Sequence, residues 1–544
     1  MSGLVLGPLL RYAGSTEATV WVETDAPCEV AVLGRTARTF HVEGHHYALV
    51  ELRDLPPGSV TPYEVHLDGA RAWPPPGDGR PPSAIHTRDH ERRSRLLFGS
   101  CRVGAPQRRP YTLATGEHPE AVEVDALWAF SRRLQAGREP WPDCLLLLGD
   151  QVYADEVSPE TAAFIRSRRD VSEPPGEEIA DFEEYTRLYR ESWSDPDIRW
   201  LLSTVPSTMI FDDHDVHDDW NISEAWVREM RAKDWWGDRI VGAFMAYWLY
   251  QHLGNLAPPE LAEEPLFAEL RGLEDGGPRL RAFGRQADRE SAASRWAFHR
   301  DFGRSRLVVV DSRAARVLPE GRRDMIDQGE WTWISDRARG EYDHLVIAST
   351  LPVFMIKGVH HLEAWSEAVC GGAWGPPGRR MGEWARRLLD LDHWPAFQRS
   401  FAGMVGLLDE LALAEGHPAS ITLIGGDVHT AYIAEVGIGD GRGSRVHQVV
   451  CSPFRNPLDP HQRRLVKATT TRGAELVTRG LARAAGVGPP PAGWRFRDGV
   501  VEGGAVAVLE LDERTSRVTI SRSGPEDEDG PVLTHLHRRT LASA

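Results

Sequence analysis

With 544 residues, 41% of them hydrophobic and 26% charged, the chain can bury a large core and build more than one domain, and its composition excludes wholesale disorder. A formal net charge of −17 excludes a general nucleic-acid coat protein, which needs a basic surface, but leaves room for a small phosphorylated substrate held through bound cations. Five cysteines do not form a disulfide framework, no apolar run reaches the roughly 18–20 residues of a membrane span, and the start has no basic, cleavable leader, so a cytoplasmic protein is expected.

In chain order, the runs ATVWVET, CEVAVLG, HHYALVEL and TPYEVHLDG, punctuated by Gly and Pro, predict an N-terminal all-β sandwich of immunoglobulin or fibronectin type over residues 1–90. Trp21 is its expected core aromatic, and Leu55-Pro56-Pro57-Gly58 followed by Tyr63 and Val65 its expected tyrosine corner. The stretch WPPPGDGRPPS and the charged RDHERRSR mark a boundary near residues 73–94. From 91 to 544 the texture is that of an α/β (α+β) domain of layered sheets flanked by helices. Continuously apolar runs end RLLFGS, CLLLLGD, TMIFDD, RLVVVDS, HLVIAS, ITLIGGD and HQVVCSP, as expected of strands covered on both faces. Segments 121–136 and 397–415 predict covering helices, while 155–205, 255–295 and 355–395 read as insertions around a site. A helical flap is expected around 458–493, ending in GPPPAG, and a C-terminal hairpin around 504–522.

Polar side chains gather where these strands end: Gly99-Ser100-Cys101, Gly149-Asp150-Gln151-Val152-Tyr153, Asp212-Asp213-His214-Asp215 and Gly426-Asp427-Val428-His429. Ligands of open α/β sheets collect outside the carboxyl ends of strands, so the four groups can converge. Singly each has an ordinary reading: Gly-Asp suits a tight turn, Cys101 a buried thiol, Asp212–Asp219 a capping loop. Four metal-capable strand ends in one sequence favour a shared site.

The ordered set SC, GDxxY, DDHD and GDVH resembles the PhoD-like alkaline phosphatases of the calcineurin-like metallophosphoesterase superfamily, and GDxxY is also similar to purple acid phosphatases. The resemblance covers nearly the whole chain, because that family sets a small β-sandwich before the catalytic domain. It implies a metallophosphoesterase fold and hydrolysis of phosphate esters at a two-metal centre. It further implies that Asp150 bridges both ions, with Cys101, Tyr153 and His429 on the first, ferric iron, which thiolate and phenolate donors suit. Asp213 and Asp427 fall to the second, where oxygen donors favour Ca2+, with Mg2+, Mn2+ or Zn2+ as alternatives. His214 becomes the catalytic group that stabilises phosphoryl oxygens or protonates the leaving alkoxide.

The wider superfamily's separate histidine ligand has no counterpart in IASTLPVF, where Ser349 and Thr350 stand in its place. Arg313 and Arg316, just after VVVDS, are candidates for the catalytic site as contacts to substrate phosphate, against an equal reading as structural ion pairs; Arg102 invites the same comparison. Cleavage of lipid or nucleotide phosphodiesters is the alternative chemistry, and a non-catalytic metalloprotein using its sandwich for partner contacts is the alternative of another class. A small phosphorylated molecule is the expected partner; the sequence names no protein partner.

Overall fold

The computed structural model describes residues 2–89, 93–291, 294–438, 442–458, 460–527 and 530–543. Residues 90–92 of the charged run between the first and second regions lie outside them, as does residue 459 of the flap.

Two four-stranded antiparallel sheets open the chain. Leu4–Ala13, Ala18–Thr24, His45–Leu52 and Phe40–Val42 form one, and Arg35–Arg38, Glu29–Val32, Val65–Leu67 and Ala70–Trp73 the other. Val20, Val22, Val30, Val50 and Val65 fill a shared core. Side chains alternate across a strand, so Trp21 points away from Val20 and Val22. It is therefore not the core aromatic of this module. It packs outward against Tyr250, with ring centroids 5.3 Å apart, while Trp73 occupies the small core and donates to Ser83 Oγ at 2.9 Å. Nor does Tyr63 close a local corner: its hydroxyl donates to the carbonyl of Ser203, on the helix Pro196–Thr204.

The two regions are locked by Arg11, which is fully buried. Its guanidinium donates to the carbonyls of Ser207 (3.1 Å), Tyr250 (2.5 Å) and Gln251 (2.7 Å). Burial lowers its pKa to about 9. Gly254 is needed beside it, since an added Cβ would lie 2.4 Å from Arg11 Cζ.

The larger body stacks two sheets. The first runs Ser207–Ile210, Cys144–Leu148, Ser94–Gly99, Ala505–Asp512, Thr515–Asp527 and Gly530–Ala542, its first three strands parallel and the others antiparallel. The chain's end thus adds a third strand beyond the expected hairpin. The second sheet runs Phe298–Phe302, Ser305–Val310, His344–Ser349, Ser420–Gly425, Arg445–Val450, Thr430–Gly437 and Gly493–Phe496, with its four middle partners Ser305–Val310 to Arg445–Val450 parallel. Leu96, Phe98 and Ala507 of the first sheet share one apolar core with Val309, Val346 and Val449 of the second. The outer face of the second sheet, with Val308, Leu345 and Ile347, is covered by helices Gln328–Ala338 and Gln398–Leu413. Helix Ala126–Gln135 starts later than residue 121 because Asp125 caps it, accepting from the amides of Leu127 and Trp128. Stretches 155–205, 255–295 and 355–395 are largely helical, including Phe182–Trp193, Gly277–Arg289, Lys357–Cys370 and Gly375–Leu388. Among the described residues no helix is long and apolar enough to cross a membrane.

Candidate metal centre

The parallel register of Ser94–Gly99, Cys144–Leu148 and Ser207–Ile210 brings their carboxyl ends to one edge of the first sheet, and the end of Ser420–Gly425 meets them from the second. Close backbone contact ties these ends. Cys101 N donates to Gly149 O (3.3 Å), Arg102 N to Asp150 O (3.1 Å), and Asp427 N to Ser100 Oγ (3.0 Å). Cys101, Asp150, Asp427 and His429 all take left-handed backbone, with φ of 53°, 50°, 64° and 47°. Such geometry is unfavourable for side-chain-bearing residues and collects at functional sites. Two glycines make the approach feasible: a Cβ on Gly149, at φ 88°, would lie 2.4 Å from Asp212 Cβ, and one on Gly426 would lie 2.4 Å from Ser100 Oγ.

The donors converge in two sets that share one member. Cys101 Sγ, an Asp150 oxygen and an His429 ring nitrogen lie within 4.8 Å of one another, and so do oxygens of Asp150, Asp212 and Asp213. Both Asp150 oxygens and Asp212 Oδ2 are buried without a hydrogen-bond partner, while Asp213 Oδ1 lies 3.1 Å from Arg313 Nη2. Orphaned anionic oxygens in a protein interior are costly, and convergent ones are what a bound cation would satisfy. Burial, reinforced by Asp212, Asp213 and Asp215, raises the Asp150 carboxyl well above the usual range, and burial holds His429 down at about 4, leaving its imidazole neutral and able to ligate. Tyr153 stands beside the first set; its phenolic oxygen accepts from Asn456 Nδ2 at 3.0 Å, and burial with Asp150 and Cys101 nearby raises its pKa.

Asp427 is placed differently from Asp213. One of its oxygens takes His393 Nε2 at 3.1 Å, and the other lies 3.5 Å from Arg313 Nη2. His393 is backed by Glu363, which contacts Nδ1 at 2.8 Å. No motif pointed to His393; it comes from the 355–395 insertion and brings a histidine to Asp427 where the segment IASTLPVF has none. Arg313 and Arg316 are buried and do not present free guanidinium groups to a substrate. Arg313 binds Asp212 and Asp392 through Nε and Nη1 and lies 3.1 Å from Asp213, while Arg316 donates to Asp392 at 3.0 Å and to the carbonyl of Ser312. Carboxylates packed this densely need a cation, and these arginines provide it. Arg102 is likewise spent on Asp125, at 2.8 Å.

His214 is oriented by a residue that the motif spacing did not reveal. Its Nδ1 contacts Asp155 at 3.0 and 3.1 Å, and its ring lies 4.8 Å from that of Tyr153. Burial opposes the imidazolium, but Asp155, Asp150 and Asp213 outweigh it and raise the His214 pKa well above normal. Asp215 is a scaffold: it accepts from the amides of Asp150 (3.0 Å) and Asp212 (2.9 Å), joining two of the strand ends. His214, Asp427 and His429 are the partly exposed members and mark the side open to solvent.

With this geometry in place, residues 128–270 match the PhoD-like phosphatase family. The chain carries a PhoD-like phosphatase domain. It is thereby a phosphoric ester hydrolase. The matched span holds Asp150, Tyr153, Asp213 and His214, whereas Cys101, Asp427 and His429 lie outside it. Residues 1–85, before the PhoD-like domain, match a domain of unknown function, DUF7800. A solved structure titled "Structure of PhoD" is similar over 99% of this chain and 92% of its own, with a TM-score of 0.60 and 12% identity, a likeness of fold. No curated protein matches the chain.

Proposed function

We propose that the chain hydrolyses phosphate esters at a dinuclear metal centre in which Asp150 bridges. The observation that carries the reading is the pair of donor sets meeting at Asp150, with three buried carboxylate oxygens, both of Asp150 and Oδ2 of Asp212, left unpartnered. Cys101, Asp150, Tyr153 and His429 would hold the first ion, Fe3+, since thiolate and phenolate suit a trivalent cation. Asp150, Asp213 and Asp427, with Asp212 added by the geometry, would hold a divalent ion, for which an all-carboxylate set favours Ca2+. Bound there, the ions would polarise the phosphoryl oxygens and make a water acidic enough to attack. His214 faces the open side with Nδ1 engaged by Asp155, which leaves Nε2 to donate to a phosphoryl oxygen or to the departing alkoxide. Asp215 keeps two ligand loops in register, and Arg313 limits repulsion among the carboxylates.

A cavity of about 510 Å3 beside Tyr153, lined also by Tyr111, Gln151 and Leu188, favours a second reading in which the substrate is a diester. Its volume suits a second ester substituent.

Elemental analysis of protein purified without chelators, with hydrolysis of an aryl phosphate and its diester, tests both. Iron plus a second ion, visible absorption from thiolate and phenolate charge transfer, and loss of metal and turnover in Asp150→Ala are expected. Turnover on the diester alone would select the second reading. Wild-type protein that holds no metal and turns over neither ester after Fe and Ca addition would leave a non-catalytic protein.

A further inference from the structure

Helices Lys357–Cys370, Gly375–Leu388 and Arg472–Ala484 form a cap with its own small apolar core of Trp365, Val369, Ala385, Ala482 and Ala485. Trp374 Nε1 donates to Ala484 O at 3.2 Å and ties the outer two helices together. The outward faces of these helices are unusual for this molecule. Among the described residues, seven of the twelve exposed large apolar side chains lie on or just after them. Met381, Trp384 and Leu388 follow one another at three and four residues, the spacing of a single helical stripe, with Trp384 64% exposed. On the other helix Leu476 and Val477 are 66% and 64% exposed. Isolated exposed apolar residues are ordinary, but a grouping on two helices that both pack on Lys357–Cys370 marks a contact surface.

Charge says what would cover it. The carboxylates of these helices are all engaged: Glu363 with His393, Glu367 with the amide of Gln398, Glu383 with Arg386 and Arg387, Glu475 with Arg479. Lys357, Arg380, Arg472 and Arg483 have no ion pair among the described residues. Lys357 and Arg483 join His361 and Arg479 around a cavity of about 330 Å3 walled by Pro489, Pro490 and Pro491. A cap that carries both surplus cations and exposed Trp and Leu, on a chain of net charge −17, suits an anionic surface with an apolar layer beneath it.

We propose that this cap docks on an anionic phospholipid surface, with Trp384 and Leu388 at the interface and a lipid phosphate in the cavity of Lys357 and Arg483. The inference stands apart from the ester hydrolysis and from the metal centre.

Full-length, metal-loaded protein is sedimented with phosphatidylcholine vesicles with and without phosphatidylglycerol. Binding is expected only with phosphatidylglycerol and is expected to weaken with salt. The pair Lys357→Glu and Arg483→Glu should lower partitioning at least about twentyfold, as two lost cations at an anionic surface imply. The pair Trp384→Ala and Leu388→Ala should lower it about tenfold, from lost apolar burial. Circular dichroism and aryl phosphate hydrolysis should match wild type in both pairs, which separates lost docking from misfolding. Equal binding to both vesicle types, no binding to either, or binding that the Trp384/Leu388 pair leaves intact overturns the proposal. A dimer in sedimentation equilibrium that the Trp384/Leu388 pair abolishes, without vesicle binding, gives the face to a second copy and overturns it too.

Discussion

Replacing Arg313 by methionine isolates what holds the carboxylate cluster together. The side chain is 2% exposed and binds Asp212 and Asp392 directly, with Asp213 at 3.1 Å and Asp427 at 3.5 Å. Methionine fills similar volume but leaves at least two buried carboxylates without their countercharge. Removing one partner of a buried ion pair costs about 3–5 kcal/mol, and Arg316 still serves Asp392, so a loss of about 4 kcal/mol is expected in chelator-treated protein. Urea unfolding measures it. Asp212→Asn in the Arg313→Met background should recover about half, because it removes one of the two stranded charges. A divalent cation should recover part of the loss in Arg313→Met alone, by taking up the charge of Asp212 and Asp213. A loss below about 1 kcal/mol, joined by a raised KM for the aryl ester, would refute the reasoning and return Arg313 to the substrate.

Three further outcomes are expected. His393→Ala should weaken the second ion about 10–100-fold by releasing Asp427, measured by chelator competition, with the first ion's affinity unchanged. Gly254→Ala should destabilise by at least about 2 kcal/mol in thermal or urea unfolding, because the new methyl strikes a guanidinium fixed by three carbonyls and cannot displace it cheaply. His45 sits between Glu23 and Glu183 at 2.8 Å each; burial opposes its charge, but the two carboxylates raise its pKa to about 9. Its folded pKa exceeds the unfolded 6.5, so its contribution is complete below about pH 6.5 and is lost as pH rises through about 9. With Glu183 43% exposed, about 2 kcal/mol is expected, visible as a wild-type advantage over His45→Gln that fades between those limits.

The strand ends were legible because a buried strand advertises itself as an apolar run and the residues that follow are polar at fixed offsets. That pattern alone brings Cys101, Asp150, Asp213 and His429 toward one site. Asp212 stood in the same motif, but the family resemblance gives the ligand role to Asp213; the turn after Ile210 brings oxygens of both to Asp150. Asp155, Glu363, His393 and the carboxylate partners of Arg313 were not legible. Their roles depend on contacts between segments far apart in sequence, and the insertion that carries Glu363 and His393 shows only helical texture. Trp21 was misread for a simpler reason: the alternation that buries Val20 and Val22 already turns it to the opposite face.

That opposite face bears on how such a protein can be rebuilt. Arg11 and Trp21 belong by sequence to the first β-region and by contact to the body behind it. A truncation starting near residue 94 would strip the cover from Tyr250 and leave the carbonyls of Ser207 and Gln251 without their donor, so the remainder is not a ready-made minimal enzyme. A cassette exchange of the first region would succeed only with a donor that brings its own arginine and indole to the same places. The modules were joined by shared side chains, and they would have to be inherited, or engineered, together.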